Sequence, residues 1–183
     1  MSSSQSQIKM NKPINSRKIN LYWSSQNFNE AGVIDILASD KHIYAVCFQG
    51  ELELVLKRLQ RYFQVQVTKQ SNHLIHETVR QLNEYFCAKR SQFDLPIELI
   101  GTDFQKKVWL ALKKIPFGST STYKDIGHEL QINNGFQAIG QANRNNPICI
   151  IVPCHRVISS SGQLSGYVGG SGLKSYLLRL EKC

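Results

Sequence analysis

The chain has 183 residues, with 22 Lys and Arg against 13 Asp and Glu, so its formal charge is +9. Hydrophobic residues make up 42% of it, which is ordinary for a globular protein and excludes a disordered chain. No apolar run approaches the ~20 residues that a membrane-spanning helix needs, so we expect no membrane partner. Residues 1–18 are rich in Ser, Gln, Asn and Lys without an apolar centre, which predicts a flexible tail rather than a signal peptide.

The cysteines are odd in number and widely spaced, without a CxxC pair. They lie at Cys47, Cys87, Cys149, Cys154 and Cys183. This pattern indicates free thiols in a reducing compartment rather than a disulfide framework. The surplus positive charge favours an acidic partner, nucleic acid first, but its spread over both halves of the chain weakens that inference.

The first half alternates short apolar runs with helical periodicity. Taken in chain order, the predictions are a hairpin of Val33–Ala38 and Ile43–Phe48, an amphipathic helix over Glu51–Tyr62, a strand from Phe63 to Val67 and a second helix from Ile75 to Phe86. These elements predict a small α+β domain over residues 19–94.

The second half, residues 95–183, is predicted to be mainly helical. Residues 95–100 form a short extended segment, and Thr102 begins a capping box for a helix that Pro116 and Gly118 terminate. Thr122 is expected to cap a second helix over Tyr123–Leu130.

A Gly-containing turn, Ile132–Gly135, then leads to a helix over Phe136–Arg144. Two short helices joined in this way fit a helix-turn-helix. The second helix carries the small residues Ala138, Gly140 and Ala142, which would let its backbone approach a ligand closely. Ordinary helix packing is the alternative reading.

The apolar run Ile148–Val152 predicts a buried strand that ends at Pro153-Cys154-His155-Arg156-Val157. A free thiol with a pKa near 8.5 is only a few per cent thiolate at neutral pH, so a nucleophilic Cys154 needs a base. His155 is the candidate, directly or through a water. The alternatives are a core role for Cys149, a zinc site of Cys149, Cys154 and His155, and peptide cleavage by Cys154 without a recognised protease motif.

Residues 153–157 match the PCHRV signature of the O6-alkylguanine-DNA alkyltransferases, the methylated-DNA–protein-cysteine methyltransferases. The resemblance continues in order through Gly101-Thr102-Asp103-Phe104-Gln105, Val108-Trp109, Ile115-Pro116-Phe117-Gly118, Thr122-Tyr123, Ala138-Ile139-Gly140, Asn146-Pro147, Gly166-Tyr167-Val168-Gly169-Gly170 and Lys174, Leu177, Leu178 and Glu181. It covers residues 95–183, whereas residues 19–94 resemble the family only in size and element order.

The resemblance implies an α+β fold with a small RNase H-like N-terminal domain on an antiparallel sheet and a winged-helix-like helix-turn-helix C-terminal domain. It implies DNA repair on double-stranded DNA containing O6-alkylguanine and, less well, O4-alkylthymine. The damaged base is flipped into a pocket, and the alkyl group passes once to Cys154 without a cofactor. We expect a monomer in the cytoplasm of a prokaryote, or in the nucleus of a eukaryotic host.

The resemblance also implies the roles of individual residues. Cys154 is the alkyl acceptor, His155 the water-linked base and Glu181 the residue that orients it. Tyr123 donates toward the guanine ring, and Asn146 braces the turn before the active site. Val157 and Cys154 offer backbone carbonyls to the exocyclic amine, while Tyr167 and the Val168 amide line the pocket. The implied DNA-binding set is Gln137, Ala138, Gly140, Gln141, Arg144 and Arg156.

The chain departs from the family at Gln137, where an arginine usually enters the base stack. Glutamine lacks that planar cation, so we expect weaker binding or slower base flipping. The alternative function is a lesion sensor that flips the base but repairs poorly. Val168 also replaces a residue that is often small in the family, and we expect it to narrow the pocket against bulky alkyl groups.

Some relatives carry zinc in the first domain. No complete zinc ligand set is found in this N-terminal domain, so we do not predict a zinc site.

Overall fold

The computed structural model describes residues 17–132, 135–164 and 167–182. The predicted tail therefore lies outside the described residues, except at its end. There Lys18 already belongs to the first strand, β1 (Lys18–Asn27), which the sequence reading did not predict. A short 3-10 helix at Asn29–Ala31 joins β1 to the predicted hairpin.

The N-terminal sheet has four strands in the order β3-β2-β1-β4. The hairpin of β2 (Val33–Ala38) and β3 (Ile43–Phe48) is confirmed, and β1 pairs antiparallel with β2. The last strand, β4 (Gln64–Lys69), instead pairs parallel with β1. The sheet is therefore mixed rather than wholly antiparallel, because α1 (Leu52–Leu59) carries the chain across it from β3 to the far edge.

The two faces of the sheet are buried against different layers. Helix α1 packs Val55 and Leu59 over Leu37 on one face. On the other face, Ile34 and Ile36 join a core that includes α2 (His73–Phe86) and the C-terminal helices. Because β2 is covered on both sides, its sequence is a continuous apolar run interrupted only by Asp35.

The C-terminal helices are α3 (Asp103–Leu112), α4 (Tyr123–Glu129), α5 (Phe136–Arg144) and α6 (Gly170–Leu180). Thr102 and Thr122 each form a capping box, as predicted for Thr102. Helices α4 and α5 form the helix-turn-helix, although Asn133 and Asn134 of its turn lie outside the described residues. The Trp109 indole donates a hydrogen bond of 2.8 Å to the Ala142 carbonyl and so fixes α5 against α3.

The segment before the reactive cysteine is buried as expected, but it is not a strand. Ile148 makes only a single bridge to Val46 of β3, and the chain then turns back so that Cys149 bridges Val152. Ile150 sits in that turn with φ 72°, an uncommon conformation for a β-branched residue. The strand prediction was wrong because a turn and an extended run share the same apolar composition once both are buried.

Backbone hydrogen bonds and a shared core join the two halves of the chain. The Ile43 amide donates to the Pro96 carbonyl at 2.7 Å, and the Glu98 amide donates to the Ile43 carbonyl at 2.8 Å. The proposed domain boundary near residue 95 lies within this connection.

The short strands β5 (Ser121–Thr122) and β6 (Val157–Ile158) pair in parallel, and β6 follows directly after the Cys154–Arg156 segment. Within the described ranges, no helix is long and apolar enough to cross a membrane.

Candidate active site

Cys154 begins a 3-10 helix of three residues, Cys154–Arg156, and is only 1% exposed. Asn146 holds the preceding turn together. Its Nδ2 donates to the Val152 carbonyl at 2.8 Å, and its Oδ1 accepts from the Ile148 amide at 3.0 Å. The Asn146 side chain therefore ties both ends of the turn that precedes Cys154.

His155, the residue after Cys154, forms a buried hydrogen-bonded pair with Glu181. His155 Nε2 lies 2.8 Å from Glu181 Oε1, and both side chains have no solvent exposure. Burial lowers the pKa of His155, against the opposing effect of the Glu181 carboxylate. A neutral imidazole that donates from Nε2 leaves Nδ1 as an acceptor. Nδ1 has no hydrogen-bond partner among the residues that the structure describes, so the ring can receive a proton there.

Glu181 accepts hydrogen bonds from four residues in three parts of the chain. Besides His155, its carboxylate accepts from Arg156 at 2.8 and 2.9 Å, from the Tyr85 hydroxyl at 2.7 Å and from the Gly118 amide at 3.1 Å. Burial by itself would raise the pKa of Glu181, but hydrogen bonds from His155 and Arg156 lower it to about 2. Glu181 is thus a permanent anion beside the imidazole.

Arg156 was expected at the DNA surface, and that expectation is wrong. Arg156 is only 6% exposed. Its Nη1 donates to the Ile115 carbonyl at 2.7 Å, and its Nε and Nη2 donate to the Glu181 carboxylate. A guanidinium buried against a carboxylate satisfies both charges at once. The sequence could not distinguish this inward arginine from one on the surface.

The Cys154 thiol has a lowered pKa. The largest cause is a hydrogen bond from the Cys149 side chain, opposed by burial and supported by Asn146 and by the charge of Lys174. Lys174 is fully buried and donates from Nζ to the Val157 carbonyl at 2.6 Å.

Sequence reasoning gave no role to Lys174. A signal was present, because Lys174, Leu177 and Glu181 follow helical spacing and therefore share the buried face of α6.

Aromatic rings border the thiol. The pKa of the Tyr123 phenol is raised, first by burial and then by the negative charge of Cys154. Tyr167 is 8% exposed, with its ring centroid 6.5 Å from that of His155. Its buried hydroxyl lacks a hydrogen-bond partner within the described part of the chain.

The residues expected to receive a base lie in the same neighbourhood. Val157 is fully buried, and Val168 is partly exposed beside residues 165 and 166, which lie outside the described residues. The Cys154 carbonyl accepts from Asn143 Nδ2 at 3.3 Å and the Val157 carbonyl from Lys174. The Cys154 carbonyl also accepts from the Val157 amide, so both of its lone pairs are used within the protein.

Helix α5 presents a polar face to solvent. Its exposed side chains include Gln137, Ala138, Gln141 and Arg144. Gly140 is partly buried, and a Cβ added there would lie 3.8 Å from Tyr123 Cε1, an ordinary contact. Packing within the protein therefore does not require glycine at this position.

The fold and the site together define a class: an α+β protein in which a helix-turn-helix lies beside a buried, activated thiol. Two family models match the chain. They are the 6-O-methylguanine DNA methyltransferase ribonuclease-like domain over residues 21–99 and the 6-O-methylguanine DNA methyltransferase DNA binding domain over residues 103–183. The chain belongs to this family.

Individual relatives agree. A methylated-DNA–protein-cysteine methyltransferase of Methanosarcina barkeri is 48% identical over 62% of this chain and 72% of its own length. One of Mycobacterium tuberculosis is 51% identical over 57% of this chain and 63% of its own length. The crystal structure of Mycobacterium tuberculosis OGT in complex with DNA superposes with a TM-score of 0.74 at 34% identity, covering 90% of this chain and 93% of that one. These similarities agree with the fold expected from the sequence.

Proposed function

We propose that this protein repairs DNA by direct reversal, transferring the alkyl group of O6-alkylguanine in duplex DNA to its own Cys154. The observation that carries the proposal is the buried series Cys154, His155 and Glu181, which contacts α5 where Asn143 Nδ2 donates to the Cys154 carbonyl at 3.3 Å. The family to which the chain belongs supports the same chemistry.

The thiolate forms when His155 Nδ1 takes the Cys154 proton, through one water or directly. Glu181 stabilises the resulting imidazolium because its own carboxylate stays ionised. The sulfur then attacks the alkyl carbon in line, a C–S bond forms, and the C–O6 bond breaks with its electron pair passing to the guanine. The product is a thioether, so each molecule reacts once.

Tyr123 assists departure of the guanine. Its raised pKa keeps the hydroxyl protonated, so it can donate a hydrogen bond as negative charge develops on the ring. The partners Cys149, Asn146 and Lys174 lower the pKa of Cys154, which increases the thiolate fraction at neutral pH. The protein's own residues therefore supply both the nucleophile and the leaving-group donor.

DNA is proposed to bind across α5. Gln137 would occupy the space of the flipped nucleotide, Ala138 and Gly140 would permit close approach, and Gln141 and Arg144 would contact the backbone. The flipped base would enter beside Tyr167, with the Val168 amide on O6. We further propose that the protein acts as a monomer in the compartment that holds the host's DNA, the cytoplasm of a prokaryote or a eukaryotic nucleus.

The test is incubation with duplex DNA containing O6-methylguanine, without S-adenosylmethionine, followed by digestion and mass spectrometry. Stoichiometric methylation confined to Cys154, and its loss in Cys154→Ser, is the expected result. Cys87→Ser is the matched control, because Cys87 is an exposed thiol away from the site. DNA binding without methyl transfer would indicate a lesion sensor, and multiple turnover would indicate a different enzyme.

A further inference from the structure

Asn143 belongs to α5 but faces the interior of the protein, unlike the exposed side chains of that helix. It is 2% exposed and shares the buried face of α5 with Ile139 and Ala142. Its Nδ2 donates to the Cys154 carbonyl at 3.3 Å. The amide group of Asn143 therefore lies at the reactive residue, although the proposed chemistry gives it no role of its own.

The oxygen of the same amide is a buried acceptor without a partner. In the part of the chain that the structure describes, buried side-chain atoms of this kind are found only at Asn143 Oδ1, His155 Nδ1 and the Tyr167 hydroxyl. His155 follows Cys154 directly, and its ring lies 6.5 Å from that of Tyr167, so all three collect around the thiol. Rotating the amide by half a turn would set Oδ1 against the Cys154 carbonyl, which is also an acceptor. Because an unpaired buried oxygen costs free energy, Oδ1 is available to a ligand that donates.

An O6-alkylguanine base carries a single donor group on its edges. Alkylation of O6 leaves N1 without a proton, so N1, N3, N7 and O6 are all acceptors and only the exocyclic amine donates. O4-alkylthymine has no donor at all, because its N3 loses its proton in the same way. An unpartnered acceptor beside the thiol therefore matches the alkylated guanine and not the alkylated thymine.

The Cys154 carbonyl, which was expected to accept this amine, already has two donors. These are Asn143 Nδ2 and the Val157 amide. We propose that Asn143 Oδ1 accepts a hydrogen bond from the exocyclic amine of the flipped base, which makes Asn143 a specificity-determining residue for O6-alkylguanine over O4-alkylthymine. The inference rests on the proposed function for the identity of the substrate.

The test compares single-turnover methyl transfer from O6-methylguanine and from O6-methylhypoxanthine, which lacks only the exocyclic amine, in the same duplex sequence. With the second base the wild type has a buried acceptor left unpaired, so we expect its rate constant to be about tenfold lower or more. Asn143→Leu keeps the branched shape without polar atoms, and its two rate constants should become similar. Differences in base pairing between the duplexes are common to both proteins and cancel when the two ratios are compared. Asn143→Leu should also reduce the preference for O6-methylguanine over O4-methylthymine.

Two further variants separate a direct contact with the base from a structural effect. Asn143→Asp loses the donor to the Cys154 carbonyl but retains an acceptor, so both bases should react more slowly while their ratio is kept. Tyr123→Phe alters a ring that borders the same stretch of α5, since a Cβ added at Gly140 would lie 3.8 Å from Tyr123 Cε1. It should slow both bases together. Asn143→Ala replaces Asn143→Leu if that variant does not fold.

Equal ratios in the wild type and Asn143→Leu, or an equal loss of the ratio in Asn143→Leu and Asn143→Asp, would overturn the proposal. Failure of methyl transfer from both bases in the wild type would count against the proposed function instead. The dissociation constants of the two duplexes then test Asn143 separately, because the amine contact forms before the chemical step. A similar ratio of these constants in the wild type and Asn143→Leu would likewise overturn the proposal.

Discussion

The Tyr85 hydroxyl of α2 donates a hydrogen bond of 2.7 Å to Glu181 Oε1 at the end of α6. The two residues lie 96 positions apart, and both are buried. A side chain of the N-terminal domain thus helps to fix the carboxylate that orients His155. The N-terminal domain is in this respect part of the active site.

Tyr85→Phe removes only this hydroxyl. We expect a loss of about 1–2 kcal/mol in the free energy of unfolding, because a hydrogen bond to a buried carboxylate disappears. Methyl transfer should slow by a few-fold at most, since His155 and Arg156 still hold Glu181. Urea denaturation and single-turnover kinetics measure the two effects. Tyr62→Phe changes an exposed tyrosine and should match the wild type; equal stabilities of all three proteins would contradict the prediction.

We predict that the buried Arg156 has a structural role and that the exposed Arg144 binds DNA. Arg156→Gln removes the positive charge and leaves the buried Glu181 carboxylate without its cationic partner, so it should lose at least about 2 kcal/mol of stability. Its salt dependence of DNA binding should stay unchanged. Arg144→Ala, at an exposed site, should reduce the slope of log K against log salt by about 1. Fluorescence anisotropy over a salt series measures both slopes, and a reduced slope for Arg156→Gln would restore the expected DNA-binding role of Arg156.

Gly140→Ala should stabilise the protein and weaken its function. Alanine is favoured over glycine in a helix by up to about 1 kcal/mol, and the added methyl meets only Tyr123 Cε1 at 3.8 Å. On DNA the same methyl would obstruct close approach, and we expect about tenfold weaker binding. Gly172→Ala is a matched control on α6, where an added Cβ has no neighbour within 4 Å. Unchanged DNA affinity in Gly140→Ala would refute close approach at this residue.

Gln137→Arg should accelerate single-turnover repair of duplex DNA. Arginine adds a planar cation that can stack in place of the flipped base, worth about 0.5–2 kcal/mol, or about twofold to thirtyfold in rate. Gln141→Arg adds the same charge to the exposed face of α5 and controls for attraction alone. If the two variants respond equally, or if neither improves, Gln137 does not limit the reaction.

Stability should depend on the pH through His155. Its pKa is below the ordinary value of 6.5, so the unfolded chain binds this proton more readily than the folded one. The contribution of His155 to the free energy of unfolding is fully present above pH 6.5. It is lost as the pH falls below that value, by up to about 1.4 kcal/mol per pH unit. Glu181, with a pKa of about 2 against 4.5, adds a further loss below pH 4.5.

His155→Gln keeps an N–H donor for Glu181 but does not titrate, so the dependence below pH 6.5 should flatten. Urea denaturation of the two proteins at several pH values measures the difference. Parallel curves would show that another group is responsible.

Most local features of the second half were predictable. The capping residues Thr102 and Thr122 follow from short-range chemistry, in which a side chain bonds a backbone amide three residues away. The bounds of α5 follow instead from the turn at Gly135 before it and the Asn146-Pro147 pair after it. The strand β1 was missed because Tyr22, Ser24 and Ser25 break the alternation that would have marked it. The turn at Ile150 was hidden because burial on all sides removes periodicity.

The sequence by itself determined which residues are reactive and where they stand along the chain: Cys154 beside His155, after an apolar run and after two helices with a small-residue face. Tertiary structure decided which groups meet. It turned Arg156 inward to Glu181, brought Tyr85 to the same carboxylate and placed the Lys174 ammonium on the Val157 carbonyl. Buried charges and donors need hydrogen-bond partners, and here these partners lie on distant segments of the chain. The spacing of residues along the sequence does not indicate which distant residues will pair.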